Sequence, residues 1–155
     1  MLKILTVPNP ILLQKSRPIS AADINSEKIQ KLISEMTVTM IKKDGVGLAA
    51  PQIGESIRLI IIQHQDGPIA MINPKIIKKS LIKEWGEEGC LSLPDMYGEV
   101  KRCKKITVKY INNKGKEKQI IGQGLLARVI QHENDHLDGA LFIDKARKVV
   151  NIKDL

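Results

Sequence analysis

The stretch Gly124-Leu125-Leu126-Ala127-Arg128-Val129-Ile130-Gln131-His132-Glu133-Asn134-Asp135-His136-Leu137-Asp138-Gly139 reads as one helix with chemistry along one side. The pattern predicts a helix from about Gly124 to Asp138, closed by Gly139. His132 and His136 stand four residues apart, so on a helix both imidazoles point the same way and can reach one ion. In a chain with only 3 histidines, a chance His-Glu-x-x-His has odds of roughly a few in a thousand. Glu133, beside a ligand but not itself one, is the candidate for proton transfer. Leu125, Arg128 and Val129 precede His132 by seven, four and three residues and share its face. Leu125 and Val129 are therefore expected to wall an apolar pocket beside the ion, while Leu126 and Ile130, on another face, are core. Arg128 is unexpected on the pocket side. It either snorkels to the rim or pairs with a substrate carboxylate.

A catalytic metal site takes three protein ligands and leaves one position open. The third ligand must come from a carboxylate, from His64 or from a cysteine. Cys90 leads, because Glu87-Glu88-Gly89-Cys90-Leu91-Ser92 reads as a loop whose glycine permits a tight turn. A thiolate is soft and shifts preference toward iron, zinc or cobalt, away from magnesium or calcium. Cys103 has no such surroundings and reads as a small buried hydrophobe.

Working back toward the N-terminus, residues 1–22 contain Pro8, Pro10 and Pro18 and are expected to run extended over the surface. A helix at about 26–43 follows from the 3.6-residue spacing of Ile29, Leu32, Ile33, Met36 and Met40, with Gly45 as its stop. Gly45-Val46-Gly47-Leu48-Ala49-Ala50-Pro51-Gln52 is built of small residues where backbone could approach a ligand. Strands are expected at 57–64, at 69–73 and from Ile76 to about Trp85, followed by a glycine- and proline-punctuated loop. Ile106, Val108 and Tyr110 alternate as in a half-buried strand, and Asn112-Asn113-Lys114-Gly115 turns a hairpin back through 117–121. Strands and helices are segregated, which predicts an α+β fold with mainly antiparallel sheets packed around a central metal-binding helix at about 124–138. The helix at about 26–43 is its N-terminal companion. With no repeat, linker or composition shift, residues 1–155 read as a single catalytic domain with a short C-terminal tail, 145–155, as helix or edge strand.

Composition excludes little. A hydrophobic fraction of 43% and a charged fraction of 27% are those of a globular chain, and aromatics at 3% leave the core to Ile, Leu and Val. No apolar run approaches the ~18 residues of a membrane span, so no membrane is expected. Pro8 breaks the N-terminus before a signal core could form, and the two cysteines form no CxxC pair. A reducing compartment follows, read as the cytoplasm, with an organelle stroma or matrix as the other setting. The net charge of +8 is spread along the chain, which suits either a lysine-rich solvated surface or a general anionic neighbour, with no specific nucleic acid implied.

Three blocks now stand together: Gly45-Val46-Gly47-Leu48-Ala49-Ala50-Pro51-Gln52, Glu88-Gly89-Cys90-Leu91-Ser92, and Gln131-His132-Glu133-Asn134-Asp135-His136. In order and spacing they resemble the peptide deformylase family, whose patterns GxGxAAxQ, EGCxS and QHExDH they match without a gap. The resemblance runs from the proline-rich N-terminus to Leu141-Phe142-Ile143-Asp144. It implies removal of the formyl group from N-formylmethionyl nascent peptides, with release of formate. It implies Cys90, His132 and His136 as ligands of one divalent metal, ferrous iron in the cell, with zinc, nickel or cobalt as substitutes. It further implies that metal-bound water would attack the formyl carbon with Glu133 as general base and acid, and that the Gln52 amide and Leu91 N–H would face the formyl oxygen. Val46, Gly47 and Gly89 would pair through their main chains with an extended substrate, and the pocket of Leu125 and Val129 would hold the methionine side chain. Glu88 and Arg102 are implied as an ion pair bracing the Cys90 segment.

Three positions depart from the family pattern. Arg128 stands where an apolar residue is more usual, and Tyr97 stands where some members carry arginine against the downstream peptide. Only 11 residues follow Asp144, too few for the long C-terminal helix that some members dock on the ribosome, so ribosome contact is expected to be weak and carried by general basic charge. The nearest rival is a His-Glu-x-x-His endopeptidase, which would take a further His or Glu ligand downstream; no histidine follows His136. A non-enzymatic, basic RNA-associated protein is the other alternative.

Overall fold

The computed structural model describes residues 1–155. A one-turn helix α1 (Ala21–Ile24) leads into α2 (Glu27–Lys42), followed by strands β1 (Gly47–Ala49), β2 (Leu59–Ile62), β3 (Ile69–Lys79), β4 (Lys83–Cys90), β5 (Leu93–Cys103), β6 (Lys105–Ile111) and β7 (Glu117–Gln123). Helix α3 (Leu125–Leu137) and strand β8 (Arg147–Asn151) complete the chain, with short 3-10 turns at Pro10–Leu13, Ala50–Ile53, Phe142–Asp144 and Ile152–Asp154. Five strands form one antiparallel sheet in the order β1-β2-β3-β6-β7, and β4-β5-β8 form a second. The expected α+β architecture around a central helix is the one observed. No helix is long and apolar enough to cross a membrane.

The unbroken run Leu59-Ile60-Ile61-Ile62 is explained by burial on both faces. Leu59 and Ile61 pack toward α2, against Ile29, Ile33, Met36 and Met40. Ile60 and Ile62 pack toward α3, against Ala127, Val129, Ile130 and Leu137. Alternation along a strand thus delivers one apolar layer to each helix. Ser26 caps α2, its hydroxyl accepting from the Ile29 N–H at 3.3 Å, with Glu27 in the first turn and Lys42 in the last to complement the helix dipole. At the far end of α3, Arg58 donates to the Leu137 carbonyl at 3.0 Å and to Asp138 Oδ1 at 3.0 Å, satisfying groups the helix leaves open. A third cluster, Leu12, Leu93, Val100, Leu141 and Phe142, fills the space beneath the three-stranded sheet.

Three expectations are corrected. Residues 69–79 form one strand, and the apolar pair Leu81-Ile82 is an exposed turn before β4 rather than the middle of a strand at 76–85. Pro74 is tolerated because the β3–β6 register shifts between Ile72 and Lys75, so its missing N–H falls at a bulge. The glycine-rich stretch after Trp85 is a hairpin, β4 with β5, and Cys90 ends a strand rather than sitting in a loop. Residues 1–22 are not wholly extended, since they include the 3-10 turn and α1. The tail at 147–151 is an edge strand on β5, one of the two expected forms.

Candidate metal centre

Helix α3 runs between the sheets and carries His132 and His136 on one side, their rings 5.1 Å apart at the centroids. The last residue of β4 meets them. The ligand atoms of Cys90, His132 and His136 all lie within 4.8 Å of one another, and Cys90 Sγ is 3.3 Å from His136 Nε2. Of the alternatives left open for a third ligand, His64 is elsewhere, its Nδ1 accepting from the Asp66 N–H. Cys103 is buried in the cluster between α3 and the five-stranded sheet.

His132 is held from behind. Its Nδ1 lies 2.8 Å from Glu88 Oε1, which leaves Nε2 to face Cys90 and His136, and the Phe142 ring stacks on it at 6.0 Å. Glu88 is buried and accepts from Arg102 through two bonds of 2.9 Å each. Arg102 also donates to Asp135 Oδ2 at 2.6 Å, and Asp135 accepts in turn from Lys145. The expected Glu88–Arg102 pair is therefore one link in a chain from Lys145 to His132. Burial would raise the Glu88 pKa, but the hydrogen bonds from Arg102 and His132 outweigh it and hold the carboxyl at about 2. Burial lowers the His132 pKa, yet its bonds to Cys90 and Glu88 raise it to about 10, whereas burial and the neighbouring His132 and Arg102 push His136 down to about 3. Partners that attract a proton to His132 attract a cation equally. A soft sulfur, two imidazoles and a carboxylate bracing one ring suit a divalent transition metal.

Glu133 is buried beside these groups, and its Oε2 has no hydrogen-bond partner in the protein. Burial pushes its carboxyl up to about 7, against the pull of His132. Gly47 lies directly against it: a Cβ there would stand 2.7 Å from Glu133 Oε1. Gln52 is fixed at both ends, its Oε1 accepting from the Ala49 N–H at 2.9 Å and its Nε2 donating to Ser92 Oγ at 3.2 Å and toward Cys90 Sγ at 3.5 Å.

A cleft of about 480 Å³ opens onto the centre, and of the candidate residues all but Arg102 and His136 border it: Val46, Gly47, Gln52, Glu88, Gly89, Cys90, Leu91, Tyr97, Leu125, Arg128, Val129, His132 and Glu133 are on its walls. Strand β1 is an edge of one sheet and β4 an edge of the other, so each turns an unpaired side to neighbouring space. Tyr97 sits opposite Gly89 in the β4–β5 register. Leu125 is 68% exposed and forms a rim more than a wall. Arg128 follows neither of its expected courses. It is buried, with Nη1 donating to Glu88 Oε2 at 2.8 Å, because acceptors on β4 and β5 lie within its reach. Sequence reasoning missed this partner, and it missed Asp135 and Ser92 as supports although both lie inside the blocks it singled out.

The polypeptide deformylase family profile matches residues 1–151. A peptide deformylase of Carboxydothermus hydrogenoformans is 48% identical over 148 residues, 96% of this chain and 95% of that one. The crystal structure of peptide deformylase from Thermotoga maritima superposes with a TM-score of 0.90 at 41% identity, covering 95% of this chain and 98% of that one. A Met-Ala-Ser-bound class I type b peptide deformylase from Acinetobacter baumannii gives 0.89 at 37% identity, covering 94% and 99%.

Proposed function

Because this chain belongs to the polypeptide deformylase family, we propose that it is a single catalytic unit that hydrolyses the formamide of N-formylmethionyl nascent peptides and releases formate. The observation that carries the reading is the convergence of Cys90, His132 and His136 within 4.8 Å, next to a buried carboxylate oxygen of Glu133 that has no partner. Those three residues would hold one divalent cation, ferrous iron in the cell with zinc, nickel or cobalt as substitutes. Bound there, it supplies Lewis acidity that activates water and polarises a carbonyl.

The chain's own groups do the rest. Glu133, with a carboxyl near 7, takes a proton from the attacking water at Oε2 and returns it to the departing amine. The Gln52 Nε2, pinned by the contacts of its carboxamide, and the Leu91 N–H are donors for the oxyanion that develops at the formyl oxygen as the formyl carbon is attacked. Edge strands β1 and β4 offer Val46, Gly47 and Gly89 as main-chain partners for an extended peptide, in the manner of strand addition. The Gly47–Glu133 contact makes that approach narrow, which favours formyl, the smallest acyl group, over bulkier ones. Val129 and Leu125 flank the methionine side chain, and Tyr97 lies farther along the cleft. Ribosome contact would rest on the spread positive charge, and the setting is the cytoplasm or an organelle with the same translation chemistry.

The test is formate release from formyl-Met-Ala by anaerobically prepared, ferrous-loaded protein, run beside an internal peptide blocked at both ends. Cleavage of the blocked peptide alone would replace this reading with an endopeptidase. A metallated protein that binds RNA but releases no formate would replace it with a binding function.

A further inference from the structure

Glu88 is the hub of the buried charges, and every lone pair of its carboxylate is taken. Oε1 accepts from Arg102 Nη2 at 2.9 Å and faces His132 Nδ1 at 2.8 Å. Oε2 accepts from Arg102 Nε at 2.9 Å and from Arg128 Nη1 at 2.8 Å. Arg128 cannot swing away to solvent, because Nη1 also donates to the Val100 carbonyl at 2.8 Å and Nη2 to the Glu84 carbonyl at 2.9 Å. The residue is 9% exposed, so water screens its charge little.

The charges joined to this hub do not balance. Arg102 bridges Glu88 and Asp135, Arg128 adds a second guanidinium to Glu88, and Lys145 pairs with Asp135, so three cations meet two anions. His132, donating from Nδ1 when Nε2 is given to a metal, adds no charge, and the Cys90 thiolate belongs to the cation's own shell. Glu84 meets Arg128 through its main-chain carbonyl rather than its carboxylate, and Glu133 pairs with neither arginine. Lys145 is half exposed and diluted by solvent, which leaves Arg128 as the buried surplus. Such a surplus acts on the ligand beside it. A carboxylate that accepts the second N–H of a metal-binding imidazole raises the basicity of the ligating nitrogen. A cation sharing that carboxylate draws density away and weakens the push, and a fixed positive charge also repels a dication directly. Both effects have the same sign.

Resting on the metal centre of the deformylase reading, we propose that Arg128 is a positioning residue that acts through Glu88 on His132: its buried charge weakens the donation of His132 to the cation, so that the centre holds its metal less tightly than the same three ligands would without it. A residue that served only as a brace predicts the opposite sign, since removing a brace loosens a site.

The experiment measures the zinc dissociation constant of the full chain by competition with a chromophoric chelator, for the unaltered protein and for Arg128→Gln, Arg128→Met and Arg128→Lys. The two neutral variants should bind zinc about tenfold more tightly, the scale on which such outer partners move metal affinity. Arg128→Lys keeps the charge and should bind as the unaltered protein does. Arg128→Gln still offers an amide to Glu88, so the test stands if Arg128→Met does not fold. In the zinc-loaded protein the Nδ1 proton of His132 should resonate farther downfield in Arg128→Gln, as its bond to Glu88 strengthens; a bracing role would not move it that way. Lys145→Gln, which removes the solvent-exposed cation, should leave the affinity nearly unchanged. Weaker or unchanged zinc binding in Arg128→Gln overturns the proposal, and so does equal tightening by Arg128→Lys or Lys145→Gln. An unaltered protein that binds no zinc is a different result, which sinks the metal centre and the deformylase reading, and the proposal with them.

Discussion

Glu133 shows how a single residue is tuned by where it is put. It follows His132 on α3, so its carboxyl is carried into the same buried space, and burial lifts it to about 7 with Oε2 left unpaired. A carboxyl with that value both accepts and donates a proton near neutrality. Glu133→Gln keeps the shape and removes the carboxylate oxygen to which the proposed function assigns proton transfer. Formate release should fall by about a hundredfold to ten-thousandfold while metal content by elemental analysis stays at that of the unaltered protein. Near-normal turnover in a metallated variant would take the role away from Glu133. The neighbouring glycine gives a second test. In Gly47→Ala the new methyl meets Glu133 Oε1 at 2.7 Å, and one of the two must move. The expected outcome is a fall in kcat of at least about tenfold, from a displacement on the order of an ångström, with the metal retained.

At the scale of elements, what a sequence reveals depends on whether the signal is local. The spacing of His132 and His136 and the apolar stripe of α2 are local, and both helices lie within a few residues of their expected limits. The β4–β5 hairpin was illegible because its glycines mimic loop punctuation. They are there for distant partners: Arg128 presses on Gly86, Tyr97 on Gly89 and Ala146 on Gly98. Likewise the pairing of Arg128 with Glu88 spans 40 residues, and no short-range pattern announces it. Cys90 leads among the third-ligand candidates on its glycine-containing surroundings, read as a loop although the segment is the end of β4, and only the three blocks read together imply the full Cys-His-His set, since a lone cysteine is more often plain core. The helix–hairpin contact is open to a double-mutant cycle. Gly86→Ala should cost about 1–3 kcal/mol in urea unfolding because four acceptors fix the guanidinium it strikes. In an Arg128→Ala background the same methyl should cost much less, giving a coupling of about 1 kcal/mol or more. Equal penalties in both backgrounds would mean that the hairpin shifts as a unit and the contact carries no strain.

For the whole molecule, the candidate metal centre sits where separately built parts meet. Cys90 ends a strand of the three-stranded sheet, while His132 and His136 ride on the helix packed against the five-stranded one. Ferrous iron or zinc bound by all three would tie one sheet to the helix that covers the other, a link that unfolding must break. A ligand that binds only the folded state stabilises it by about 4 kcal/mol when present at a thousand times its dissociation constant. For a chain of this size that corresponds to a Tm shift of roughly 10 °C. Treatment with a strong chelator should therefore lower Tm by about that amount, and restoring ferrous iron without oxygen should recover it. Cys90→Ser should begin near the chelated Tm and respond little to either step, because the hydroxyl is a poor substitute for a soft thiolate. If the chelated protein melted at the same temperature as the loaded one, the three side chains would not be acting as a structural link. The two sheets would then owe their placement to the apolar clusters on either side of α3 alone.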